Sequence, residues 1–354
     1  MSELLEPGAN PELFGHERAE AIFVRALGKG RMHHAWLLCG PRGVGKATLA
    51  YRCARRLLAG EDHARAAVDP THPVFRMVAS KAHPDLRVLE RVINPKTGKL
   101  FKEILIDQVR SAEDTMHATA ARAGRKVLLV DPADELNASG ANALLKLLEE
   151  PPASVVILLV CQRPGLLPRT ILSRCSQLHL APLGPDHILT ALGRLAPELV
   201  AERATALAEA AQGSIGRALL LEQGSWLERY ADLLHKLVEA RASTKARLAL
   251  ATKLVPAADG QGFRATADLI ATVLRRVASL QAGRAPSVEL VAGERDLLAA
   301  LAAGRGLDHW VAMWDKLTAL AGRVDAVNLD PLQTLLQIVQ AVCGADPEAE
   351  LSIA

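Results

Sequence analysis

Aromatic side chains make up only 3% of this 354-residue chain, which excludes the ring-packed core of an aromatic-rich sandwich and any row of base-stacking rings. Cysteine is scarce as well. The five present, Cys39, Cys53, Cys161, Cys175 and Cys343, form no C-x-x-C pair and no cluster at metal-ligand spacing, so neither a disulfide framework nor a cysteine zinc site is indicated. Most of them sit inside or beside apolar runs and read as small buried hydrophobes. Long apolar runs are missing too: the longest, Val155 to Cys161, falls far short of the ~18 residues a membrane span requires. The acidic start Met1-Ser2-Glu3 lacks the basic region of a signal peptide, so a cytoplasmic location without membrane contact is expected. No single sign of charge dominates. Lys and Arg outnumber Asp and Glu by 42 to 39, a net charge of +3 that is too small to mark a nucleic-acid binder, so any DNA contact must be local.

Half of the residues are apolar and 23% are charged, with Ala and Leu prominent, which is the composition of a helix-rich globular protein with material for two or three domains. Helix and strand patterns alternate up to about residue 180 and only helical patterns follow Pro185. Continuous apolar strands are expected at Ala35–Cys39, Leu86–Leu89, Lys126–Asp131 and Val155–Val160, and a half-buried one at Ser176–Leu180. Helices are expected at Glu17–Leu27, at Lys46–Ala59, from a cap at Asp107 to about Ala123, and before Pro151 with Ala141, Leu144, Leu145 and Leu148 on one face. Glu61 to Pro84 reads as an irregular insertion, and Asn94 to Lys99 as a turn. The implied fold is a mainly parallel α/β sheet with helices on both faces, followed by helical domains.

Gly40-Pro41-Arg42-Gly43-Val44-Gly45-Lys46, between a buried strand and a helix, matches the first seven positions of the phosphate-binding P-loop. The eighth position, whose hydroxyl would hold Mg²⁺, is Ala47; Thr48 comes one residue late, about 100° around the helix. Asp131 ends a buried strand as the second acidic element would, but it is followed by Pro132, which has no side-chain base. Asp134 and Glu135 lie past the strand end and read as a turn or cap. Arg174 projects from the sheet rim. His63, His72 and His83 fit no usual metal spacing, so no zinc is expected.

His34-Ala35-Trp36, Val130-Asp131, Asn142 to Pro151 and Thr170-Ile171-Leu172-Ser173-Arg174-Cys175 together resemble the bacterial clamp-loader AAA+ family, the gamma/tau and delta-prime subunits of the DNA polymerase III holoenzyme. That resemblance implies an AAA+ P-loop α/β domain over residues 1–182, a helical lid over 183–243 and an all-α collar for oligomerisation over 244–354. In the family's motors a Gly-Ser-x-Arg motif of the lid supplies a sensor arginine; here Gly213-Ser214-Ile215-Gly216 places Gly216 at that position. The polar sensor after Val160 falls on Cys161 or Gln162. Metal ligand, base and both sensors are altered while the Ser-Arg-Cys arginine is kept, which resembles the delta-prime branch.

The implied function is that of a subunit with a degenerate nucleotide site, formed by Gly40, Gly43, Gly45, Lys46, Thr48 and Asp131, that supplies Arg174 in trans to a neighbour's ATP. Little or no ATPase of its own, no required cofactor and no zinc follow, with residual ATP or ADP binding left open by the intact loop. The implied partners are the gamma/tau and delta subunits, the sliding β clamp and primed DNA in the assembled complex. The alternative is a gamma/tau-like motor using Lys46, Thr48 and Asp131.

Overall fold

A computed structural model describes residues 6–28, 32–60, 67–118, 124–254, 260–323 and 331–344. The chain divides into two compact units, one of residues 1–204 with 211–220 and the other of residues 205–210 with 221–354.

The first unit is built on five strands, β1 (Ala35–Cys39), β2 (Leu86–Leu89), β3 (Lys126–Val130), β4 (Val155–Cys161) and β5 (Ser176–His179). They form one sheet in the order β2-β3-β4-β1-β5, every neighbouring pair parallel. Its helices are α1 (Glu17–Gly28), α2 (Lys46–Leu58), α3 (Pro73–Ala79), α4 (Ile106–His117), α5 (Ala138–Glu149), α6 (Arg169–Leu172) and α7 (Pro185–Leu195). Alternation along the strands feeds two cores. Ala35, Leu37, Cys39, Leu128, Val130, Ile157 and Leu159 pack with α4 and α5 on one face. Trp36, Leu38, Val127, Leu129, Val156 and Leu158 pack with α1 and α2 on the other. Because both faces are covered, β1, β3 and β4 are buried along their whole length. The parallel α/β sheet with helices on both faces expected from the sequence is the one observed.

Local departures have physical causes. The segment expected to be irregular contains α3, capped by His72 accepting from the Val74 N–H at 3.2 Å and anchored by buried Phe75 and Val78. Seven residues are too few to show a period. The helix start expected at Asp107 lies at Ile106, where the Gln108 side chain accepts from the Leu105 N–H at 3.0 Å, leaving Asp107 in the first turn near the positive helix end. That helix ends at His117; the expected extension over 119–123 lies outside the described residues. On α5 the buried face uses Leu147 where Leu145 was expected. Two arginines of α2, Arg55 and Arg56, are buried as well. Arg55 donates to the carbonyls of Gly8 and Asn10 and lies 4.2 Å from the Phe75 ring centroid, and Arg52 and Arg56 share Glu20.

Helices α8 (Ala201–Ala210) and α9 (Ile215–Gln223) each run from one unit into the other. The second unit continues with α10 (Trp226–Ala240), α11 (Thr244–Leu254), α12 (Gly260–Gln281), α13 (Glu294–Ala302), α14 (Leu307–Arg323) and α15 (Pro331–Cys343). In α15, Leu335 and Val339 are buried and Leu332 is exposed, while α14 leaves Leu307, Val311 and Trp314 exposed. Among the described residues no helix is long and apolar enough to cross a membrane.

A buried ion pair organises this unit. Arg276 grips Glu294 with Nε to Oε1 at 2.5 Å and Nη2 to Oε2 at 2.6 Å, while the Tyr230 hydroxyl donates to Oε1 and the Leu290 N–H to Oε2. Burial and the neighbouring carboxylate push the Tyr230 phenol up, so it stays a donor. Removing one partner of such a pair strands a buried charge, at a cost of about 3–5 kcal/mol. Glu294→Ala should therefore lower the unfolding free energy of this unit by about that amount in urea titrations. Glu209→Ala, which removes a more exposed contact to Arg276 at 3.4 Å, should cost less than about 1 kcal/mol. Equal effects of the two substitutions would refute the ranking.

Candidate functional site

The glycine loop joins β1 to α2, and its backbone is possible only with glycine at three places. Gly40, Gly43 and Gly45 have φ of +155°, +77° and +112°, and a Cβ on Gly40 would lie 2.3 Å from the Leu180 carbonyl oxygen. The loop's next four carbonyls, from Pro41 to Val44, each accept a hydrogen bond. Lys46 Nζ donates to Pro41 O at 2.7 Å, the Ser214 hydroxyl to Arg42 O at 2.9 Å, the Gly216 N–H to Gly43 O at 3.0 Å and His16 Nε2 to Val44 O at 2.8 Å. Ser214 also accepts from the Arg217 N–H. The turn at Gly213–Gly216 thus lies directly on the loop, and its close approach is eased because neither Gly43 nor Gly216 has a side chain. A Cβ on Gly43 would meet Ser214 Oγ at 2.4 Å, and one on Gly216 would meet Gly43 Cα at 3.1 Å. Ser214 and His16 were not singled out as site residues by the sequence pattern, which contains no signal for contacts between segments so far apart.

Lys46 is buried, and burial lowers its amine while Asp131 and Asp134 oppose that shift. Burial raises Asp131 to about 6, and the positive charge of Lys46 pulls the other way. Thr48 lies half-buried on the first turn of α2, and Ala47 offers no oxygen where a magnesium ligand would stand. The residues present therefore do not fit the metal that a P-loop site would hold. Asp134 is engaged by the Gln162 N–H at 2.8 Å and by Arg163, and Glu135 pairs with Arg91 at 2.7 Å. The Asp134 side chain is buried rather than solvated, 1% exposed. At the end of β4, Cys161 is the register partner of Cys39.

Arg174 follows α6 on the rim. Its Nη2 lies 2.9 Å from Glu149 Oε1 and its Nη1 donates to the Thr170 carbonyl at 3.1 Å. Glu149, the last residue of α5, is thereby brought to the arginine, a pairing that sequence spacing does not reveal. Of the histidines weighed as metal ligands, His72 caps α3, His83 is buried and accepts from the Asp85 N–H, and His63 lies outside the described residues. Among the described residues no three or more His, Cys, Asp or Glu side chains gather as a metal site.

The raised Asp131 fixes a direction of pH dependence. In the unfolded chain this carboxyl releases its proton near 3.8, whereas in the fold it holds it to about 6, so between these values the folded state binds more protons and rising pH favours unfolding. Relative to Asp131→Asn, the wild type should lose stability from about pH 4 to 6, on the order of 2 to 3 kcal/mol. Denaturant unfolding of both proteins across that window checks this, and parallel pH profiles would refute it.

A family model described as DNA polymerase III, delta subunit, matches residues 15–184. The chain is 37% identical to the DNA polymerase III subunit delta' of Pseudomonas aeruginosa over 195 residues, 55% of this chain and 57% of that protein. It is 34% identical to the Escherichia coli subunit delta' over 203 residues, 56% and 58% of the two chains, and 34% identical to the Escherichia coli subunit tau over 223 residues, 61% and 32%. The chain thus spans under two thirds of the length of each of these relatives. Among solved structures it is similar to a DNA polymerase III gamma subunit-related protein of Thermotoga maritima, at 19% identity and TM-score 0.41, with 92% of this chain and 98% of that one covered. A RuvB variant from Thermotoga maritima matches at 20% identity and TM-score 0.41, covering 90% and 92%. The motifs, the family match and the delta' relatives agree in pointing one way: over about its first half the chain is similar to the delta' subunits of bacterial DNA polymerase III.

Proposed function

We propose that the protein works as the delta-prime-like subunit of a DNA polymerase III clamp loader, helping to place the sliding β clamp on primed DNA and lending Arg174 to the ATP held by a neighbouring subunit. The observation that carries this reading is an asymmetry. The chain's own phosphate loop has its lysine on the Pro41 carbonyl, no hydroxyl at Ala47 and Gly216 resting on its backbone, while Arg174 stands on the rim with only a half-exposed carboxylate and one carbonyl to hold it. A guanidinium so placed can exchange its carboxylate for phosphate oxygens, which its planar fork can engage two at a time. Gamma/tau and delta subunits are the partners in this reading. Residues 183–243 act as lid and 244–354 as collar, for which the exposed row Leu307, Val311 and Trp314 at helical spacing on α14 offers an apolar contact face. No cofactor or zinc is required, and the protein acts in the cytoplasm.

The purified chain should hydrolyse ATP negligibly. Robust turnover abolished by Lys46→Ala would instead favour the gamma/tau-like motor, working with Thr48 and Asp131.

Arg174→Ala should leave the fold and complex assembly unchanged, because an ion pair this exposed contributes about 0–1 kcal/mol. It should depress DNA-stimulated ATPase of the assembled complex, and Arg174→Lys should rescue poorly because ammonium lacks the planar fork. Arginine fingers are generally worth ~10³ to 10⁵ in rate at their own site. The whole-complex loss will be smaller, since only one interface is damaged. Gel filtration of the same samples controls for assembly, and normal clamp loading by the Arg174→Ala complex would reject the role.

A further inference from the structure

The connection from β2 to α4 is longer than the crossover needs, and its excess is a hairpin. Ile93 and Leu100 are antiparallel bridge partners, the Asn94 N–H donates to Lys99 O at 2.8 Å and the Phe101 N–H to Val92 O at 2.9 Å. The tip is closed by Asn94, whose carbonyl accepts from the Gly98 N–H and whose side chain accepts from the Lys96 N–H, with Gly98 at φ +65°. Expected from the sequence only as a turn, this segment has a surface unlike the rest of its unit. Ile93 is 65% exposed and Leu100 50%, and as bridge partners they stand side by side on one face of the ribbon. Between Asn94 and Lys102 there are three lysines and no acid, and Lys96, Lys99 and Lys102 are exposed without an ion-pair partner among the described residues. In a chain with a net charge of only +3, that is a local concentration of cations.

The base of the hairpin is fixed while its tip is free. Arg91 pairs with Glu135 at 2.7 Å, Gln108 Nε2 donates to Glu90 O at 3.0 Å and the Ile104 N–H to Glu135 O at 2.8 Å. Since all five strands are parallel, the hairpin leaves the same sheet edge as the glycine loop and Asp131. A held base reduces the ordering cost of presenting the tip to a ligand.

We propose that the hairpin of residues 91–102 is a nucleic-acid contact, in which Lys96, Lys99 and Lys102 meet the phosphate backbone and the Ile93–Leu100 pair packs against the sugar and base surface. Charge complementarity selects the polyanion, because three exposed lysines without an ion-pair partner among the described residues, set at the turn and bends of the hairpin, suit a backbone that is itself a row of anions. The apolar part is one pair of side chains. That is far too small for the ~800 Å² per partner of a stable protein interface, but it suits a wedge beside phosphate contacts. The proposal deepens the clamp-loader reading by locating where this chain touches DNA, and its test uses the free chain so that it stands or falls separately from clamp loading.

Binding of a fluorescein-labelled primer–template oligonucleotide to the purified full chain is followed by anisotropy from about 50 mM salt upward. Replacing Lys96, Lys99 and Lys102 together by alanine should weaken binding at least tenfold at low salt and flatten the slope of log K against log salt by about 2 to 3, since each phosphate contact contributes about 0.7 to 0.9. Ile93→Ser with Leu100→Ser should weaken binding with the slope unchanged. Lys245→Ala with Lys253→Ala, exposed on α11, should change neither. Unaltered circular dichroism confirms that the variants fold. Wild-type affinity in the triple lysine variant, or no binding by the wild type at low salt, overturns the proposal. So does a triple variant that keeps its oligonucleotide affinity but loses its place in the assembled complex, which would make the hairpin a protein contact.

Discussion

The bonds made by carbonyls 41 to 44 hold the candidate site in its observed form. A loop that turns its N–H groups inward to make an anion cradle must turn its carbonyls outward, and buried carbonyls need donors. Here there are four donors: the loop's own Lys46, the Ser214 hydroxyl and Gly216 N–H of the Gly213–Gly216 turn, and His16 ahead of α1. The same bonds that satisfy the loop therefore also tie the start of α1 and this turn to it. Gly216 has a structural part here, because a Cβ on it would lie 3.1 Å from Gly43 Cα and crowd the close approach of the two backbones.

The sheet explains why the remaining chemistry collects where it does. Strands buried on both faces can present polar groups only at their ends, and parallel pairing brings all the carboxyl ends to one edge. β1 delivers the glycine loop there, β3 delivers Asp131, β4 delivers Cys161 and Gln162, and the chain beyond β2 delivers the basic hairpin. Burial next to Lys46 raises Asp131 without an oxygen from residue 47 to share a metal. What is left at this edge is an amine held by the Pro41 carbonyl and a buried acid that feels its charge.

Much of this was legible in the sequence, for identifiable reasons. β1 and β2 were readable to the residue and β3 and β4 to within one, because continuous apolar runs bounded by Gly, Pro or charge have few alternatives. The glycine loop and Asp131 were readable because their spacing is itself the motif. What escaped were features made by tertiary contact. α3 is a seven-residue helix held by Phe75 and a histidine cap; Arg55 and Arg56 look like a polar helix face but are buried under the N-terminal segment; and Glu149 is 25 positions from the arginine it meets. Periodicity reports how one element meets a core. It does not report which distant carbonyl or carboxylate finishes a polar side chain.

The Arg174–Glu149 contact shows how a modest interaction can be useful because it is modest. An ion pair with side chains 36% and 50% exposed is worth about 0–1 kcal/mol, little enough to be given up when a stronger anion arrives. It is also enough, with the Thr170 carbonyl, to select one arrangement of a long side chain that otherwise samples many. A phosphate carries more charge than a carboxylate and offers oxygens to the same fork, so exchange runs toward phosphate once a neighbour presents one in a site that excludes water. Were Arg174 buried like Arg276, its partner would be too costly to release. The same chemical pair thus suits opposite ends: fully buried, Arg276 and Glu294 fix a fold, whereas half-exposed, Arg174 and Glu149 would, in the proposed role, keep a guanidinium available to another molecule.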